Sequence, residues 1–69
     1  MAGSTYKIID LVGTSENSWE EAARTAVETA GETLRELRIA EVRKLDMVIT
    51  NGKVTAYRAR ITLSFKYIR

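Results

Sequence analysis

Val48-Ile49-Thr50-Asn51-Gly52-Lys53-Val54-Thr55 is the stretch from which the fold can be read. Asn-Gly between two β-branched runs is the strongest short hairpin signal, because a type I′ turn needs positive φ at both central residues. The stretch therefore predicts two long antiparallel strands, 38–49 and 53–67. Ideal pairing sets Thr50 opposite Lys53, Val42 opposite Ile61 and Ala40 opposite Leu63. It also sets Arg43 against Arg60, two like charges directly opposed. A bulge would shift this register.

Upstream, Ser18 followed by Glu21 is a capping box, which predicts a helix start. Trp19, Ala22, Ala23, Ala26, Val27, Ala30, Leu34 and Leu37 then recur at spacings of three and four and form one apolar stripe. A helix of about 20 residues is expected, with Arg24, Glu28, Glu32, Arg35 and Glu36 on its solvated side. The stripe is mostly Ala, so the helix axis can lie close to a sheet, and Gly31 is a candidate for close packing. Before the helix, 5–12 reads as a strand, closed by Gly13-Thr14-Ser15 as a turn signal. The fold class expected is α+β, in the order β-α-β-β, with three antiparallel strands and one helix in a single domain over 1–69. Residues 1–4 are expected to be a flexible N-terminus.

One helix covers one sheet face. Tyr57, Ala59, Ile61, Leu63, Phe65 and Tyr67, with Val42 and Ala40, take it. The opposite face is expected to carry Val54, Ala56, Arg58, Arg60, Thr62, Ser64 and Lys66, with Ile39, Leu45, Met47 and Ile49. Four aliphatic side chains there, each worth roughly 1.5–3 kcal/mol if buried, ask for a partner. The first and last strands are expected to leave open edges. The chain has 69 residues and no Cys or His. A domain this small is marginal alone. With disulfides and thiolate metal sites excluded, oligomerisation is the expected remedy.

The function classes narrow further. Without Cys or His there is no HExxH, no CxxC and no thiol or imidazole nucleophile–base pair, and Walker A and GxGxxG are absent. Asp10, Glu41 and Asp46 carry no mark of a catalytic carboxylate pair, so no enzymatic activity is expected. A net charge of +2 is too mild to imply nucleic acid. No apolar run is long enough to span a membrane, and no leader segment stands at the start. A soluble, cytoplasmic protein is expected. Asp10 and Asp46 are acidic residues inside strands, where Asp is disfavoured. Each is either a hard-cation ligand, since Ca²⁺ wants clustered oxygens, or a salt-bridge partner of Lys7, Lys44 or Arg43. The cations Arg38, Arg43, Lys44, Arg58, Arg60 and Lys66 are either an anion site or are relieved by Glu41 or by an acid of another subunit. Trp19, at the head of the stripe, is expected to pack or to serve an interface.

Tyr6-Lys7-Ile8-Ile9-Asp10-Leu11-Val12-Gly13-Thr14-Ser15 resembles the opening strand and Val-Gly-Thr-Ser turn of the dodecins. The helix, Ala40-Glu41-Val42 and Ser64-Phe65-Lys66 match in order. The resemblance implies a sheet wrapped around the helix and a hollow homododecamer of cubic symmetry. It also implies a flavin site, at positions that are altered here. Ile39 stands where a ring-stacking Trp is usual, just before Ala40, and Arg58 stands where a Gln would hydrogen-bond the ring. Ile has no π-face and Arg presents only donors, so flavin is disfavoured. A second dodecin branch lacks that Trp and is described as calcium-binding. Ser18-Trp19-Glu20 and Asp46-Met47 are similar to its wording. Asp46 and Asp10 are the expected metal residues, on oxygen chemistry alone. Three readings are open: a shell that sequesters an ion or small ligand, calcium foremost; flavin storage by a divergent site; and a purely structural assembly.

Overall fold

The computed structural model describes residues 3–66. The strand position expected for Tyr67, and the first two residues of the expected flexible segment 1–4, lie outside the described residues. The elements run β1 (Tyr6–Ser15), α1 (Trp19–Gly31), β2 (Leu37–Thr50) and β3 (Lys53–Lys66). They form one antiparallel sheet in the order β1-β3-β2. The α+β, β-α-β-β expectation holds. β3 is central, however, so the open edges belong to the first strand, as expected, and to β2 rather than to the last strand. No helix among the described residues is long and apolar enough to cross a membrane.

The hairpin turn is as the sequence demands, with Asn51 at φ 53° and Gly52 at φ 77°. Thr50 faces Lys53, Val42 faces Ile61 and Ala40 faces Leu63. Between these points the register slips by one residue and then recovers. Thr55 is the extra residue on β3, and its hydroxyl donates to the Val48 carbonyl at 3.3 Å. Arg43 is the compensating extra residue on β2. A slip of one residue exchanges sheet faces. Leu45 and Met47 therefore pair with Ala59 and Tyr57 on the helix side, not on the far face as expected. Lys44 and Asp46 move to the far face, opposite Arg60 and Arg58. The expected Arg43–Arg60 opposition is thus replaced by Lys44–Arg60, and Arg43 lies 3.6 Å from Glu41.

Two other boundaries differ from expectation. Gly13-Thr14-Ser15 is not a turn: β1 continues through it, pairing with Ala59, Arg58 and Tyr57. Gly13 is where the helix crosses the strand. A Cβ built there would sit 2.0 Å from the Ala22 carbonyl oxygen and 2.9 Å from the Ala26 Cβ. The close approach foreseen for Gly31 is found at Gly13 instead; a Cβ at Gly31 would make an ordinary 3.7 Å contact with Leu37. The helix ends at Gly31, well short of Leu37. Its last turn folds back, with Thr33 and Leu34 N–H groups donating to the Ala30 carbonyl. Glu36 then takes φ 61°, uncommon for a non-Gly residue, and reverses the chain into β2. Leu34 and Leu37 still pack on the core, from the connection and the strand.

The core is small. Ala22, Ala26, Ala30, Ala59, Ile61 and Leu63 are buried, and among the described residues only Ile61 and Leu63 are large and fully enclosed. Ile8, Val12, Ile39, Val42, Leu45, Met47, Ile49 and Val54 remain exposed in the single chain.

Candidate functional site

The far face of the sheet brings together charged side chains from all three strands. The two compensating bulges fix which groups meet there. Asp46 and Arg58 are directly opposed, and the guanidinium donates to both carboxylate oxygens, Nε to Oδ1 and Nη2 to Oδ2, each at 2.7 Å. This is the fork-to-fork geometry that suits Arg and carboxylate. The hydrogen bond from Arg58 holds the Asp46 carboxyl below its ordinary value, against an opposing desolvation and with the charges of Arg58 and Arg60 adding to the effect. The same bond raises Arg58. Both groups are exposed. The salt-bridge alternative for Asp46 is thus realised, but with Arg58 rather than Lys7, Lys44 or Arg43.

Two residues along β3, Arg60 faces Lys44. Two further along, buried Thr62 is flanked by Asp10 on β1 and Glu41 on β2. The Thr62 hydroxyl donates to Asp10 Oδ1 at 2.6 Å. An open cleft of about 420 Å³ lies over this stretch, between Asp10, Glu41, Arg43, Lys44, Arg60 and Thr62.

Trp19 lies behind Asp46, on the helix side. Its Nε1 donates to the Asp46 carbonyl at 3.0 Å. Its ring meets Tyr57 edge-on, with centroids 5.0 Å apart and planes at 69°. The packing role expected for Trp19 is met. The helix head is pinned as foreseen: the Glu21 N–H donates to Ser18 Oγ at 3.0 Å. The Glu21 carboxylate does not return to Ser18. It accepts from Ser15 Oγ at 2.7 Å and Asn17 Nδ2 at 2.9 Å, and these two bonds hold its pKa below the ordinary value.

The expected site residues are spread out. Asp10 stands at the Thr62 level and Asp46 at the Arg58 level, on opposite edge strands of the same face. Four residues of strand separate those levels, about 14 Å. Ca²⁺ takes six to eight oxygens. One chain offers the right donor type, two exposed carboxylates with a hydroxyl beside one of them. It falls short of the number: no group of three or more acidic side chains comes together among the described residues. The donor set fits calcium only if several copies contribute. The positions expected to be altered flavin contacts are also apart. Ile39 faces Ser64 on the far face and Ala40 faces Leu63. Ile39 and Arg58 lie at levels six residues apart on β3, about 20 Å, so one chain cannot bring both to one ring. The Asp46–Arg58 pair and the Thr62–Asp10 bond escaped the sequence reading. The first depends on a bulge at Thr55, which no local signal marks.

The family model described as Dodecin matches residues 5–67. Calcium dodecin from Mycobacterium tuberculosis is 45% identical over 64 residues, covering 91% of this chain and 89% of that protein. Its crystal structure, described as that of a calcium-chelating antigen with a novel calcium-binding site, superposes with a TM-score of 0.84 at 42% identity, covering 94% of this chain and 93% of that one. Dodecin from Thermus thermophilus is 36% identical over 64 residues, covering 93% of each. The structure of dodecin from Streptomyces coelicolor gives a TM-score of 0.92 at 33% identity, covering 100% of this chain and 99% of that one.

Proposed function

Because the chain belongs to the dodecin family, we propose that it acts as a non-enzymatic, homododecameric shell that binds or sequesters a small ion, with calcium as the ligand. The observation that carries this reading is the state of the two ring-contacting positions. Ile39 is an exposed aliphatic side chain with no π-face, and two of the Arg58 donors are turned into Asp46. A flavin has no platform there, and the guanidinium, partly engaged by Asp46, offers no acceptor. What the far face offers instead is carboxylate oxygen, at Asp46 and Asp10, with the Thr62 hydroxyl beside Asp10. We propose these two aspartates as metal ligands, each completed by oxygens from neighbouring copies. The similarity to a calcium-chelating relative supports the same ligand.

The test is thermal unfolding of the assembled protein in millimolar CaCl₂ against excess chelator, with MgCl₂ as the control for ion size. A ligand that binds only the native state raises the melting temperature by mass action. Calcium is expected to raise it, and Asp46→Asn and Asp10→Asn each to remove part of the rise. Overlapping curves would overturn the calcium reading. Titration with riboflavin is expected to leave its fluorescence unchanged. The Ile39→Trp, Arg58→Gln double variant is expected to gain quenching, and submicromolar quenching by the parent protein would restore the flavin-storage reading.

A further inference from the structure

We propose that the apolar strip on the helix side of β2 docks into the groove between β1 and α1 of a second copy of this chain. The inference rests on the proposed homo-oligomeric assembly and names two surfaces that build it.

Helix α1 lies over β1 and β3 and scarcely touches β2. On the helix side β2 presents Val42, Leu45, Met47 and Ile49, opposite Ile61, Ala59, Tyr57 and Val54. Ile61 and Ala59 are enclosed, but the four β2 side chains are between 44% and 65% exposed. The row is apolar throughout, and apolar surface of this kind marks association. At its middle Leu45 borders a hollow shared with Trp19 and Tyr57, aromatic types on which binding energy concentrates at interfaces. The occupant is read from the other flank of the subunit. Between β1 and α1 runs a groove of about 490 Å³. Ile9, Leu11, Ala26 and Leu34 line it, with Thr25 and Thr29 on the helix wall, and among the described residues its lining holds no charged side chain. The far face of the sheet is no match for the strip. There Asp10 stands between Ile8 and Val12, and Val12 faces Arg60, so an apolar strip pressed onto it would bury charges without partners. Groove and strip also border the two open edges, β1 and β2. Both strands run antiparallel to β3 and so in the same direction. Side-by-side docking brings β2 of one copy beside β1 of the next and covers both edges at once. The area is sufficient. The chain exposes 5487 Å², whereas a compact monomer of 7.8 kDa exposes about 4,400 Å². The surplus of about 1,100 Å² exceeds the roughly 800 Å² that each partner buries in a stable contact. Because opposite flanks meet, the contact is heterologous and repeats from copy to copy until it closes.

The chain has no Cys, so introduced thiols report contacts between copies without background. Leu45→Cys and Met47→Cys mark the strip, and Thr25→Cys and Thr29→Cys mark the groove. All four positions are at least partly exposed in the single chain. The four single variants and the four double variants that pair one strip position with one groove position are assembled under reducing conditions. Circular dichroism and native mass spectrometry establish that each is folded and assembled. A short thiol–thiol crosslinker is then added, and the products are resolved on a denaturing gel. At least one double variant is expected to give a ladder of covalent dimers, trimers and higher products, and no single variant is expected to give a covalent dimer. If a strip variant alone gives the dimer, strip packs on strip about a two-fold axis and the proposal is overturned. If no variant crosslinks while native mass spectrometry still shows the oligomer, another surface covers the strip; the proposal is overturned and the assembly stands. If the parent protein is a monomer, both fall.

Discussion

Gly13 and Gly31 look alike in the sequence and have opposite consequences. A methyl group at Gly13 would overlap the backbone of the crossing helix at Ala22. Helix and strand would have to separate where the core is thinnest, and overpacking of this kind costs about 1–3 kcal/mol or more. At Gly31 the same methyl meets one Leu37 carbon at ordinary distance, within helical backbone. Gly31→Ala is expected to stabilise by about 0.4–1 kcal/mol, chiefly by restricting the unfolded chain. Denaturant midpoints of the two variants should therefore move in opposite directions; a harmless Gly13→Ala would show that the helix does not rest on β1 there. Asp46 and Glu21 set a second residue-scale expectation. Both carboxyls titrate lower in the folded chain than in the unfolded one. Their contribution is complete above the unfolded value and is lost as pH falls through the folded one. The melting temperature should hold from neutral pH down to the ordinary carboxylate range and fall below it. Because both groups are exposed, added salt should flatten the fall. Asp46→Asn should shorten it; an unaltered acid limb would mean that the Arg58 pair contributes nothing in solution.

Helix α1 begins on Ser18, whose hydroxyl accepts from the Glu21 N–H. Ser18→Ala is expected to cost about 0.5–2 kcal/mol, as loss of an N-cap does, and Ser18→Asp to restore it; equal midpoints for all three proteins would show that the Ser15 hydroxyl bonds carry the turn alone. The helix start, the hairpin turn and the pairing of Ala40 and Val42 were all legible, because each is governed by local chemistry that a few residues declare. The helix end was not. The stripe runs on through Leu34 and Leu37, which are apolar because they pack on the core from outside the helix. The end of the helix falls at Gly31, which reads equally well as an interior glycine of the stripe, and the reversal into β2 comes later, at Glu36 in the left-handed region. The two bulges were illegible for a different reason. Each shifts the register by one and the second cancels the first, so the Thr50, Val42 and Ala40 pairs read correctly while Leu45, Met47, Ile49, Lys44 and Asp46 change faces between them, and a further shift between Leu37 and Ile39 alters the open end. The candidate site lies in that shifted stretch. Strand-interior Asp46 could be picked out as unusual, but its partner could not.

The whole chain is far from a compact unit. Its radius of gyration is 14.4 Å and its extents are 57 × 20 × 15 Å, against about 11 Å for a compact chain of this length. Helix α1 covers part of one face, and Ile39 and Ile49 keep 67% and 65% of their surface. Exposed apolar surface on this scale marks an association surface. Native mass spectrometry is expected to give one species at twelve times the 7.8 kDa subunit mass, and the melting temperature should rise with protein concentration. A stable monomer at micromolar concentration would contradict the assembly. Both edge strands of the sheet are open, and the tip of the hairpin has no second layer beneath it. In the proposed assembly a subunit of this outline would be a stave rather than a brick, expected to keep its shape only while its neighbours press on it from both sides. Losing one stave loosens the next two, and each of those loosens another. On dilution the population should therefore divide into intact assemblies and unfolded chains, with nothing accumulating in between.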